Sequence, residues 1–139
     1  MKKKSSYKIQ ERGQALVTLI IFMLIASIIT SAAVAVVITN SIGSSKFQQG
    51  TIAKTVAESG IEDALLQLLR NPGYTGTPVG QPLIVGNGSV VVSVVGTNPY
   101  TITSTGSYPL TTKNFIRKIE VEASYNTNNQ LIITSWLEN

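Results

Sequence analysis

The chain has 139 residues, no cysteine, no histidine and a net charge of +4 from 11 basic and 7 acidic side chains. Without cysteine there is neither a disulfide framework nor a thiolate metal site, and without histidine the usual acid–base group near neutral pH is missing. The acids beyond residue 13 are only Glu58, Glu62, Asp63, Glu120, Glu122 and Glu138, a thin supply for paired-carboxylate chemistry, so no enzyme, cofactor or metal is expected.

The charge is unevenly placed. Lys2, Lys3, Lys4, Lys8 and Arg12 stand against Glu11 in the first 12 residues, and the remainder holds six basic and six acidic residues. The whole net charge therefore sits ahead of Gly13, and no further charge occurs until Lys46. Gly13, which has no side chain, is expected to interrupt the helix at this boundary.

From Ala15 to Ile42 the sequence is ALVTLIIFMLIASIITSAAVAVVITNSI, with no Pro, Gly or charge. As a helix it would extend about 42 Å, enough for a bilayer core of roughly 30 Å. Ten Leu, Ile, Val or Phe residues fall between Leu16 and Ile29, and each favours insertion by roughly 0.3–0.6 kcal/mol. A secretory signal has a shorter apolar core of about 7–15 residues, and the small-residue run Ala33-Val34-Ala35 lies too deep to serve as its cleavage site. The basic leader predicts a cytoplasmic N-terminus, with everything beyond about Ile42 extracytoplasmic. Ala26, Ala32, Ala33 and Ala35 are positions where other helices could approach closely.

A helix is predicted to continue through residues 44–70, with Ile52, Val56, Ile61, Leu65, Leu68 and Leu69 forming an apolar stripe and Lys54, Glu58, Glu62 and Arg70 lying elsewhere. Asn71-Pro72-Gly73 should end it. Beyond it, Val, Ile, Thr and Tyr separated by Gly, Pro and Asn predict strands at 83–85, 89–95, 100–105, 115–125 and 131–137. In the fourth, Ile119, Val121, Ala123 and Tyr125 alternate with Lys118, Glu120, Glu122 and Ser124, so one face should be buried and one wet. The same alternation puts Lys118, Glu120 and Glu122 on a solvated face and not in a catalytic cluster. Residues 126–130 should make a hairpin turn. Residues 71–81 and 106–114 are expected as surface loops, where Tyr74 and Tyr108 could meet partners. Trp136 is expected as a packed sheet aromatic. The predicted fold is a two-layer α+β domain, the helix stripe packed on a small antiparallel sheet. No basic stripe for nucleic acid is evident.

The boundary KIQERG followed by QALVTLIIFMLIA resembles the leader of a type IV prepilin, a short basic peptide ending in Gly ahead of an apolar helix. The wording RGQALV, together with Ala57-Glu58-Ser59-Gly60-Ile61-Glu62-Asp63-Ala64-Leu65, is similar to the PilX-like minor pilins. These motifs cover about residues 11–69, while the remainder agrees only in layout. The resemblance implies a leader at 1–13, a transmembrane and assembly helix at 14–42 and a pilin-like extracytoplasmic domain at 43–139.

It further implies cleavage by a prepilin peptidase between Gly13 and Gln14, N-methylation of Gln14, and helix packing through Leu16, Thr18, Leu19, Phe22 and Ile25. Its implied partners are the peptidase, other pilin subunits, the membrane and a pilus or secretion assembly platform, with the product in a cell-surface filament. Major pilins usually carry Phe or Met first and Glu fifth in the mature chain, where this sequence has Gln14 and Thr18. A threonine cannot offset a buried ammonium charge, which points to a minor pilin or pseudopilin. The alternative is an uncleaved single-pass anchor displaying a small binding or adhesion domain.

Overall fold

The computed structural model describes residues 6–109 and 114–139, with side-chain surroundings from Gly13 onward. The chain forms two compact units, Met1–Ser44 and Ser45–Asn139. One helix, α1 (Ser6–Arg70), is followed by β1 (Leu83–Val85), β2 (Gly88–Gly96), β3 (Tyr100–Tyr108), β4 (Phe115–Tyr125) and β5 (Leu131–Glu138). All strands pair antiparallel with their sequence neighbours, in the order β1-β2-β3-β4-β5. The architecture is α+β, one long N-terminal helix and a five-stranded sheet.

In the Ser45–Asn139 unit the helix lies on one sheet face. Val90, Val92 and Val94 of β2, Tyr100, Ile102 and Ser104 of β3, and Ile119, Val121 and Ala123 of β4 are buried against Ala53, Val56, Ala57, Ile61, Ala64 and Leu68. The alternation expected in β4 is present: Lys118 and Glu122 are exposed and Glu120 half-buried between the buried residues. Full burial of each large aliphatic stabilises the fold by roughly 1.5–3 kcal/mol before the cost of ordering it.

The helix face differs from the expected stripe. Leu69 is 57% exposed, and the buried line is instead Ala53, Ala57, Gly60 and Ala64 with Val56, Ile61 and Leu68 between them. Small residues at a spacing of three or four let the helix axis come close to the strands. A Cβ on Gly60 would lie 2.5 Å from both Ser104 Oγ and Val90 Cγ2, and one on Gly106 would lie 2.5–2.9 Å from backbone atoms of Ala53 and Ala57. At this contact Ser104 Oγ–H donates to the Ala57 carbonyl at 2.7 Å, which satisfies a hydroxyl with no exposure to solvent.

Gly106 also corrects a boundary. The segment 106–114 was expected as a loop, yet β3 continues through Gly106 and Ser107 to Tyr108, which pairs with Phe115. Residues 110–113 lie outside the described residues. The loop 71–81 is fastened along β2: Thr77 N donates to Val92 O at 2.9 Å, Val92 N to Thr77 Oγ1 at 3.1 Å and Val94 N to Thr75 O at 3.0 Å. Tyr74 accordingly packs half-buried against the core and is not an exposed contact residue. Burial, aided by the charge of Asp63, raises its pKa above 10.0.

The helix ends where Asn71-Pro72-Gly73 predicted. Asn71 Oδ1 accepts from Gly73 N at 3.0 Å, and two tyrosines finish the terminus: Tyr125 donates to the Leu68 carbonyl at 3.0 Å and Tyr100 to the Pro72 carbonyl at 3.2 Å. Leu68 is among the last four helical carbonyls, which lack helical partners. The tyrosine rings meet edge to face at 6.1 Å, a favoured aromatic geometry. In the 126–130 turn, Asn126 Oδ1 accepts from Asn128 N and Gln130 N, both at 2.9 Å, and Asn129 takes a left-handed φ of 58°, a region that asparagine tolerates.

An ion pair links β5 to the helix, with Lys54 Nζ 2.8 Å from Glu138 Oε1 and 3.8 Å from Glu58 Oε1. The hydrogen bond to Glu138 is the main cause holding Lys54 above its ordinary 10.5, and the same bond holds Glu138 below its ordinary 4.5. Glu138 therefore contributes stability above pH 4.5 that is lost as pH falls through its lowered pKa; Lys54 contributes below pH 10.5 and loses it as pH rises through its raised pKa. Between these limits Glu138→Gln should melt slightly below the parent protein. The gap should shrink with added salt and close in acid below the carboxylate range, since both groups are solvent-exposed.

Candidate functional site

The sequence-derived site residues all lie on α1. Gly13 does not interrupt it: the helix begins at Ser6 and runs through Gly13 without a break. Glycine costs a helix about 1 kcal/mol relative to alanine, but its neighbours Glu11, Arg12, Gln14 and Ala15 include good helix formers and no proline. Gly13 is thus a weak point in a continuous helix, with no other group within 4 Å of where its Cβ would be.

Gln14, Ala15, Thr18, Leu19 and Phe22 line one shallow, open depression on the helix surface. The 3.6-residue repeat places Ile25 on the same side, one turn further on, and Leu16 on the other. The expected assembly residues are therefore brought together except for Leu16. All are exposed: Leu16 61%, Leu19 55%, Phe22 72% and Ile25 52%. Among the four small residues singled out, Ala26 and Ala33 share a side by their seven-residue spacing, whereas Ala35 does not join them.

An 18-residue window of this helix reaches a mean hydropathy of 2.7, and none of it is buried within the protein. The helix is long and apolar enough to cross a membrane, consistent with a single-pass membrane protein. Its hydroxyls suit that setting. Thr18 Oγ1 donates to Gln14 O at 3.0 Å, Ser31 Oγ to Ser27 O at 2.8 Å, Thr39 Oγ1 to Val36 O at 2.9 Å, and Thr30 Oγ1 to Ala26 O. Each of these four hydroxyls is satisfied within the helix, as a surrounding without water requires. At position 18 the hydroxyl is turned back onto the chain's own backbone. Among the described residues no group of three or more His, Cys, Asp or Glu could hold a metal ion.

Sequence reasoning missed one arrangement in the Ser45–Asn139 unit. Gly50 is buried, and Arg117 Nη2 lies 3.3 Å from where its Cβ would be, so the guanidinium rests across the helix at that point. The only signal was a glycine in mid-helix, which often marks close packing. Trp136, expected to be packed, sits opposite Val121 on the helix-side face but remains 41% exposed because β5 is an edge strand.

Comparison with protein-family models, curated proteins and solved structures finds no match to this chain.

Proposed function

We propose that this protein is a structural subunit of the PilX-like minor pilin or pseudopilin kind, made as a membrane-anchored precursor, cut after Gly13 and incorporated into a type IV pilus or related secretion filament. The observation that carries this reading is the order of the N-terminal features: a basic leader, Gly13, an unbroken apolar helix and the AESGIEDAL block. An apolar helix with no side covered by its own chain suits a subunit that leaves lipid to pack among like helices. The α+β unit that follows suits the displayed part of such a subunit. In this reading Gln14 becomes the methylated N-terminus, and Thr18, bonded to its own backbone, brings no carboxylate to meet a neighbour's ammonium group.

One observation favours the alternative of an uncleaved anchor displaying a binding or adhesion domain. The Gly13–Gln14 bond lies within a helix, and a protease cleft takes extended chain, so cleavage requires that turn to unwind. Glycine is the residue at which unwinding is least opposed.

The test is the mass of the membrane-extracted protein from cells with an active prepilin peptidase. The expected product begins at Gln14 and carries an added methyl group. Gly13→Leu should leave the leader attached and remove the protein from sheared filaments. An intact leader on the parent protein in such cells would sink the filament reading and leave the anchor.

A further inference from the structure

We propose that the Ser45–Asn139 unit carries a binding site for anionic lipid headgroups, built from Lys46 and Arg117 around Gly50. This rests on α1 crossing a membrane; it requires neither filament assembly nor cleavage at Gly13, so the two proposals can fail separately.

Gly50 is the floor of the site. The Arg117 guanidinium lies over it, and Nη1 donates to the Ile116 carbonyl at 3.4 Å. Lys46 is four residues earlier and exposed, hence on the same helix face one turn away. Two cations therefore share one patch. Among the described residues neither has an ion-pair partner, whereas Lys54 is held by Glu58 and Glu138, and Lys118 by Glu120. Like charges in one patch repel and favour an anion between them. An exposed aromatic side chain flanks the pair: Phe47, three residues before Gly50 on the helix, is 78% exposed, whereas Ile116, next to Arg117 in β4, faces the other side of the sheet. A cationic pair beside an exposed aromatic group suits the headgroup layer, where phosphate and the acyl boundary meet.

The occupant follows from the chain's direction. Contacts of the helix with β3 and β4 advance together, from Gly50 with Arg117 through Ala57 with Ser104, the partner of Ile119, to Leu68 with Tyr125. β4 thus runs parallel to the helix, and Arg117 lies at the end of the unit where the chain enters it. Lys46 follows Ile42, the last of the apolar run, with only three residues between them. The acids Glu62 and Asp63 lie more than four turns beyond Lys46 along the helix. The neighbouring cations Lys46 and Arg117 thus mark the entry end, while Glu62 and Asp63 outnumber Arg70 beyond it, the polarity that a negatively charged bilayer surface would select.

The test uses the full chain with Trp136→Phe and a single reporter, Phe47→Trp, reconstituted in vesicles of phosphatidylcholine alone or mixed with phosphatidylglycerol, with bromine-labelled lipid as quencher. Quenching is expected in the anionic vesicles, should be much weaker in the neutral ones, and should be lost in molar salt, where screening acts within about 3 Å. Each basic group at an anionic surface shifts the docked-to-free ratio by roughly fivefold, so Lys46→Gln with Arg117→Gln should lower it roughly 25-fold. The sheet's thermal transition should stay unchanged. The exchange Lys46→Arg with Arg117→Lys should retain docking. Ile116→Trp, at the same end of the unit on the other sheet face, provides a second measurement should Phe47→Trp disturb the helix. Equal quenching in both vesicle types, or indifference to the Gln substitutions, would overturn the proposal. So would quenching changes that follow protein density and vanish with Glu62→Gln and Asp63→Asn, which would assign the patch to a second copy of the chain.

Discussion

Replacing Gly106 with alanine is expected to destabilise the Ser45–Asn139 unit by about 3 kcal/mol or more, at the upper end of overpacking substitutions. The added methyl carbon would meet Ala57 N at 2.5 Å, Ala53 O at 2.6 Å and Ala57 Cα at 2.9 Å. These are backbone atoms, so no rotamer change relieves the clash. The helix must lift from β3, and with it the Ser104 bond to Ala57 O and the packing of Ile61 and Val90 are weakened together. Urea unfolding of the full chain in detergent, followed by Trp136 fluorescence, should show a midpoint well below that of the parent. Gly43→Ala, which meets nothing within 4 Å, should leave that transition in place. An unshifted midpoint for Gly106→Ala would mean that helix and sheet do not approach so closely.

Leu68→Ala should cost about 3 kcal/mol, within the range for large-to-small changes at buried sites. The helix contributes mainly Ala and Gly to the interface, so its volume depends on a few large residues, and Ile61 and Leu68 are the largest of them without exposure. Neighbouring alanines cannot expand to fill the gap. Tyr125, which donates to the Leu68 carbonyl, fixes the backbone there and limits collapse. A unit of this size has a modest total stability, of order 5–15 kcal/mol, so the loss should be plain in the same urea experiment. Leu66→Ala, two residues away and 55% exposed, should change the midpoint little. Equal effects at 66 and 68 would contradict the assigned helix face.

The elements were legible where a pattern repeats and obscure where one residue's role depends on a distant partner. Alternation along Ile119, Val121 and Ala123 located β4 at its observed ends, and Asn71-Pro72-Gly73 located the end of the helix. β3 extended past Thr105 because Gly106, read as a loop residue, is the point at which a strand receives a helix backbone. The helix face was drawn through large residues and so included Leu69, when alanine and glycine mark where the sheet lies nearest. Tyr74 was placed in solvent because nothing local shows that residues 75–77 bond to β2. Gly13 read as a break, yet a glycine without a proline lowers helix stability without ending the helix. Gln14, Thr18, Phe22 and Ile25 were legible as one helix side; the Arg117 crossing at Gly50 was not, since the two are far apart in sequence.

The strand order has a consequence for how the protein is made. Every pairing joins neighbours in the chain, so no strand waits for a distant partner, and α1 precedes them all. During synthesis the sheet can grow one hairpin at a time, each new strand closing the open edge left by the one before. Local pairing of this kind favours rapid folding and shortens the time for which apolar edges remain open to other nascent chains.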